Sequence, residues 1–224
     1  EEGWRGSDGP MHVKRGTRLN PLYQAFIEAG REAGYPVTED YNGRQQEGFG
    51  AMEMTVHNGF RWSAANAFLR PALKRGNVKL VTYAFARRIL LEGKRATGVE
   101  YDVGGDVTTA MARREVIIAA SSINSPKFLQ LSGIGAPETL KAAGVEVKHA
   151  LPGVGENLQD HLQIRLIFES TQRTTNDELG SWLGQARLGL QWLMHRSGPL
   201  AVGINQGGCF MRALPHEAQR PDIQ

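Results

Sequence analysis

The stretch AASSINSPKFLQLSGIG, residues 119–135, carries one charge in seventeen positions, and three kinds of chemistry could claim it. One of its serines could be a nucleophile, its glycines could cradle phosphate, or the whole could be the covered end of a buried strand. A serine nucleophile asks for Gly-x-Ser-x-Gly, which holds the hydroxyl on a tight strand-to-helix turn. Two residues before Ser132 stands Gln130, so that pattern fails, and capping or turn roles account for the serines. A dinucleotide loop asks for Gly-x-Gly-x-x-Gly between strand and helix. GIGAPE and GVGENL each supply two glycines and lack the third, which fits helix stops and turns.

Other chemistry-bearing residues are sparse. The six histidines show no His-Glu-x-x-His or comparable metal spacing, and Cys209 is alone, so neither a metal site nor a disulfide framework is expected. Asp160 and His161 are adjacent and could be an acid/base pair, although chain neighbours usually point apart and a structural hydrogen bond is the plainer reading. Glu169 ends the apolar run RLIFE, where a carboxylate is most simply a solvent-facing strand end.

The elements that must position these residues can be read from period and punctuation. Asn20 as N-cap, Pro21 at the first helical position and Gly34 as stop bound a helix with Leu22, Ala25, Phe26, Ala29 and Ala33 on one face. The Gly-rich stretch 36–59 reads as an excursion with short strands, and a second helix runs from Ser63 to near Gly76, bent at Pro71. From Val78 onward, EGKR and VGGD separate three alternating strands of an antiparallel meander. VIIAA (116–120) is a continuous apolar run of the kind that lies in a sheet covered on both faces. Ser125 then caps a helix that Pro126 begins and Gly133 stops, placing small residues at a sheet's carboxyl edge, where open α/β folds bind ligands. Further on come a short helix (APETLKAAG), strands at VEVKHAL, QIRLIFES and GGCFMRA, and a helix with Trp182, Ala186, Leu190 and Leu193 on one face.

Composition bounds the rest. The 224 residues are 41% hydrophobic and 22% charged, enough for one large or two small domains, and the net charge of +3 is scattered, which argues against a nucleic-acid partner. A single cysteine and the lack of a membrane-length apolar run fit a cytoplasmic or membrane-associated protein. Residues alone therefore reach an α/β protein with a strand edge ready for a ligand, and not a reaction.

At INSPKFLQLSGIG the sequence resembles the second signature of the glucose-methanol-choline family of flavin oxidoreductases. The likeness continues through NPLYQAFIEAGREAGYPVTEDYNG, EGFGAMEMTVHNGFRWSAANAFLRPALKR, RILLEGKRATGVEY, REVIIAA and LPGVGENLQDHL. The resemblance implies part of a Rossmann-like FAD-binding domain with a β-meander (60–160), flanked by parts of a substrate-binding domain (1–59 and 161–224). It implies FAD as cofactor and, among the family's choline-oxidising members, choline as the small-molecule substrate, with oxygen or a respiratory electron acceptor taking the electrons. Cofactor contacts carry over to Ala86, on the strand whose backbone meets the adenine, and to Ala120, Ser121, Ser122 and Ser125. Glu169 matches a carboxylate that faces the trimethylammonium head, and Trp182 falls roughly where an aromatic residue stands beside it. The family's pyrophosphate loop and catalytic histidine match no segment here, so no catalytic residue and no turnover are expected of these 224 residues alone. GINQGGCF departs from the Asn-x-Phe-Glu-Ala-Gly-Gly-Phe of typical choline-oxidising members, which keeps another primary alcohol open.

Overall fold

The computed structural model describes residues 3–15, 20–203, 205–214, 216 and 219–224. Along the chain, β1 (Lys14–Arg15) precedes α1 (Pro21–Glu32) and the short strands β2 (Gly48–Ala51), β3 (Glu53–Met54), β4 (Val56–His57) and β5 (Phe60–Arg61). A π-helical turn (Ala65–Leu69) runs into α2 (Arg70–Lys74), and the longer strands β6 (Ala84–Glu92), β7 (Arg95–Val103) and β8 (Asp106–Met111) follow. Then come α3 (Ser121–Leu131), β9 (Ile134–Gly135), α4 (Pro137–Ala142), β10 (His149–Ala150), α5 (Thr175–Leu179), α6 (Trp182–His195) and β11 (Gly207–Phe210). The fold is mixed α/β, in two compact units: a continuous one, Leu80–Leu166, and a composite one, Glu1–Lys79 with Ile167–Gln224.

The continuous unit is built on the expected meander, order β6-β7-β8, antiparallel throughout. Its turns are where the punctuation put them: Glu92 pairs with Arg95 across Gly93, and Val103 with Asp106 across Gly104 and Gly105. Because β6 is an edge strand, its outward N–H groups need partners from elsewhere. Ser132, only 2% exposed, supplies one: its Oγ accepts from Ile89 N at 2.8 Å and donates to Phe128 O at 2.7 Å. That bond fastens the end of α3 to the meander. Gly133 then takes φ +86°, and its carbonyl receives the N–H groups of Lys148 and His149, so that β9 and β10 pair in parallel beside α4 and its buried Leu140.

Three expectations need correction in this unit and at its end. The helix begins at Ser121, with Pro126 inside it, and the Ser125 hydroxyl turns back to accept from Ala120 N at 3.1 Å. As the sixth helical residue, Pro126 gives up the one intrahelical bond that its N–H would make to Ser122 O. VIIAA is not a strand, and Ile117 is 79% exposed. A ladder needs a neighbour, and among the described residues no strand lies alongside it. QIRLIFES is likewise unpaired and exposed throughout, for the same reason.

In the composite unit, β11 lies antiparallel to β2, Gly207 opposite Ala51 and Phe210 opposite Gly48. Helix α1 is capped as read, Asn20 Oδ1 accepting from Leu22 N at 2.9 Å. It rests on this pair through Gly30, which is buried where a Cβ would overlap the Phe49 ring, and through Phe26, 5.0 Å from that ring. Leu22, Ala25 and Ala29 of the expected face are exposed. Pro71 falls in the first turn of α2, just after the π-helical turn, and the helical run starts at Ala64, one residue past the expected Ser63. Helix α6 starts at the Ser181 cap and buries Leu188, not the Trp182–Leu193 face. Trp192 Nε1 donates to Gly59 O at 2.8 Å, and the Arg196 guanidinium lies over both Trp192 and Phe60, binding the helix end to the β4–β5 hairpin.

Candidate functional site

In the continuous unit the residues expected beside a cofactor gather at two exposed places. Ala86 lies on the outer, exposed half of edge strand β6, opposite Tyr101, next to a register shift between Ala86 and Arg88. Ala120, Ser121 and Ser122 form the start of α3, where Ser121 adopts φ +75°. That left-handed geometry is costly for a residue with a Cβ and is held in place here by the Ser125 hydroxyl on the adjoining N–H. The N-cap residue is alanine, so no side chain takes the N–H groups of the first helical turn.

A cleft of about 650 Å³ opens beside this turn, lined by Ser122, Ile123, Lys127, Gln130 and the loop Gly155–Gln159. Gln130 Nε2 donates to Val154 O at 3.3 Å, which ties GVGENL to α3 and makes it a cleft wall as well as a turn. The sequence signal for that role was the pair of glycines, one of which, Gly155, has φ +89°. The cleft offers backbone N–H groups for acceptor oxygens, small side chains at 119–122 that let a ligand near the backbone, and Ile123 as an apolar contact, a set that fits a phosphate-bearing cofactor. No group of three or more His, Cys, Asp or Glu side chains able to hold a metal occurs among the described residues.

The substrate-side candidates belong to the composite unit. Glu169 sits in the exposed, unpaired segment 161–170, and Trp182 opens α6 at 74% exposure. Neither lines the cleft of about 960 Å³ between α5, α6 and the turn at 197–199, whose polar walls are Arg173, Asp177, Glu178, Ser181, Arg187 and Gln191. Asp177 is held below the usual carboxylate range by hydrogen bonds from the Thr174 backbone and hydroxyl. This closes the α5 capping box, legible as T-x-x-D in TTNDEL. Asp160 accepts the backbone N–H of His161 at 2.8 Å, a local structural bond and not one to its imidazole. Burial pushes the Cys209 thiol up, which keeps it neutral and a poor nucleophile. In GINQGGCF, Gln206 hides its Oε1 without a hydrogen-bond partner among the described residues, while Ile204 lies outside them.

An antiparallel meander with α3 fastened to its edge strand, and short strand pairs flanked by helices, define a mixed α/β protein. The chain belongs to the GMC oxidoreductase family, whose family model matches residues 2–163. It is 55% identical over all 224 residues to an oxygen-dependent choline dehydrogenase of Brucella ovis and 53% identical to one of Rhizobium johnstonii. It spans about 40% of the length of these curated relatives. Among solved structures, an FAD-dependent oxidoreductase from Chaetomium thermophilum superposes with a TM-score of 0.82 at 25% identity, over 94% of this chain and 38% of that one.

Proposed function

We propose that the protein carrying this chain is an FAD-dependent oxidoreductase acting on the CH–OH group of an alcohol, choline being oxidised to betaine aldehyde. The observation that carries this is the 55% identity over the whole chain to oxygen-dependent choline dehydrogenases. In this reading residues 60–160 serve the cofactor and residues 1–59 and 161–224 the substrate. FAD, when bound, supplies the two-electron acceptor for the alcohol carbon.

The chain's own residues bind and orient. The first turn of α3 offers backbone N–H donors at Ser121 and Ser122, with Ala120 and Ser125 fixing the approach, and the backbone around Ala86 offers a second contact. Glu169 and Trp182 supply a negative charge and an aromatic face. Together these suit a quaternary ammonium, which can donate no ordinary hydrogen bond. Oxygen or a respiratory acceptor takes the electrons onward. No helix among the described residues is long and apolar enough to cross a membrane, and a cytoplasmic setting accords with the single cysteine.

The test is the anaerobic visible spectrum of the full-length protein before and after choline is added. Flavin bands that bleach support both cofactor and substrate. Absence of flavin bands in the purified protein overturns the reading, and bands that persist with choline but bleach with another primary alcohol transfer it to that alcohol. The departure at GINQGGCF, with its buried amide oxygen at Gln206, is the observation that favours this second outcome.

A further inference from the structure

In the composite unit, the chain leading from α6 into β11 is tied to residues 52–54 at two points of different chemistry. Met52 N donates to Gln206 O at 2.9 Å, an ordinary backbone bond. Gly203 N donates to a thioether instead, Met54 Sδ at 3.0 Å. The Met52 sulfur faces the same stretch: a Cβ on Gly208 would stand 2.6 Å from it, so it packs on β11 without taking part in a bond. Met54 is held from its other side, since β3 pairs with β1, Lys14 opposite Met54, and the neighbouring Glu53 turns to Arg5. Both methionines are half-buried, whereas Met111 and Met194 are exposed.

A thioether is a weak acceptor and an oxidisable one. When a peroxide attacks Sδ, the O–O bond breaks and an S–O bond forms. The thioether loses two electrons, and the second peroxide oxygen leaves as water. Either face of the sulfur gives the same result for Gly203. An oxygen placed toward Gly203 N does not fit the present 3.0 Å separation, because an N–H···O bond alone takes about 2.7–3.2 Å and the S–O bond adds to it. An oxygen placed on the other face leaves the sulfur as the positive end of the S–O dipole, which repels an N–H. Both sulfoxides therefore cost Gly203 its acceptor.

We propose that Met54 is a peroxide-sensitive tether: as a thioether it holds the chain at Gly203, and as a sulfoxide it lets that chain go. The oxidant comes from the function proposed above, on which this role rests: with oxygen as the acceptor, the two electrons removed from the alcohol reduce it to hydrogen peroxide. The bond between Met52 N and Gln206 O contains no sulfur, so β11 stays on β2 while the chain at Gly203 is freed. Gly203 opens GINQGGCF, the stretch that departs from the choline-oxidising pattern, so the product of turnover acts back on the substrate side of the protein. Reduction of the sulfoxide by a methionine sulfoxide reductase restores the tether.

The test adds hydrogen peroxide to the full-length protein, so its outcome does not depend on which alcohol the protein oxidises. Peptide mass mapping locates the sulfoxides, and amide hydrogen exchange is read at Gly203 and at Met52. Once Met54 is oxidised, exchange at Gly203 rises about fivefold or more while Met52 stays unchanged. Met52→Leu keeps this response. In Met54→Leu, exchange at Gly203 is raised before peroxide is added and moves no further. A Met54 that remains a thioether after Met111 and Met194 are fully oxidised overturns the tether, as does a Met54 sulfoxide that leaves Gly203 within about twofold of the untreated rate. Should Met54→Leu fail to fold, reductase treatment of the oxidised wild type decides: return of Gly203 to the untreated rate supports the tether, and a rate still raised once the sulfoxide is gone overturns it.

Discussion

Ser132→Ala is the substitution whose cost the geometry fixes best. The hydroxyl makes two bonds, but they are not equivalent. Phe128 O also accepts from Ser132 N, at 3.2 Å, so it keeps a partner when the hydroxyl is removed. Ile89 N faces the open edge of β6, lies in a residue 4% exposed, and depends on Ser132 Oγ alone among the described residues. Leaving one buried N–H without a partner costs about 1–3 kcal/mol. A central value of about 2 kcal/mol lowers the urea midpoint by roughly 1 M for m near 2 kcal/mol/M, and speeds exchange of the Ile89 amide about thirtyfold if it exchanges by the same opening. The control is Ser125→Ala, which removes a bond of similar geometry to the exposed Ala120 N–H, where water substitutes. Urea unfolding of the full-length protein, with exchange measured at Ile89, decides it. Equal midpoint shifts for the two variants, or a Ser132→Ala shift below about 0.5 kcal/mol, would refute the claim that this hydroxyl closes the strand edge.

Glu169→Gln in the full-length enzyme should raise KM for choline about tenfold, the equivalent of ~1.4 kcal/mol, and leave KM for an uncharged alcohol of similar size nearly unchanged. Equal effects on the two substrates would remove the cation-binding role. Gly133→Ala should destabilise by more than Gly144→Ala. Both glycines have positive φ, which costs a Cβ-bearing residue about 1–2 kcal/mol, but only at Gly133 would the Cβ also meet a carbonyl oxygen, Glu146 O at 2.6 Å. Urea midpoints of the two variants separate the conformational cost from the overlap.

What could be read from the sequence was whatever a few neighbouring residues decide among themselves. Asn20 and Pro21 set the start of α1, and Gly93, Gly104 and Gly105 set the meander turns, because a cap or a positive φ is a local requirement. Side of burial was less legible. In α1 the helical period marks Leu22, Ala25, Phe26 and Ala29 as apolar, yet of these Phe26 meets Phe49, together with Gly30, where a glycine lets the helix approach β2 most closely. The Ser132–Ile89 bond joins residues 43 positions apart, and no local pattern announces it. The stacking of the His12 and His57 imidazoles is of the same kind, since strand pairing brings them together and neither sequence neighbourhood suggests the other.

The misread segments also have a pattern. VIIAA and QIRLIFES carry β-branched and aromatic residues that predict strands, yet both are unpaired, QIRLIFES is exposed throughout, with Phe168 at 83%, and VIIAA exposes Ile117 while Val116 and Ile118 are half-buried. Their composition is that of buried structure, and their pairing groups find no partner among the described residues. The first runs into Ala120, Ser121 and Ser122, and the second contains Glu169. Local preference and observed environment therefore disagree most at the two places where the resemblance puts cofactor and substrate. Such disagreement is expected where a segment is shaped for something outside itself. A bound ligand or further polypeptide would each answer it. They differ in one respect: apolar Ile117, Ile164 and Phe168 call for covering surface, whereas the uncapped N–H groups of α3 call for an acceptor, which only a polar ligand or a side-chain oxygen can bring.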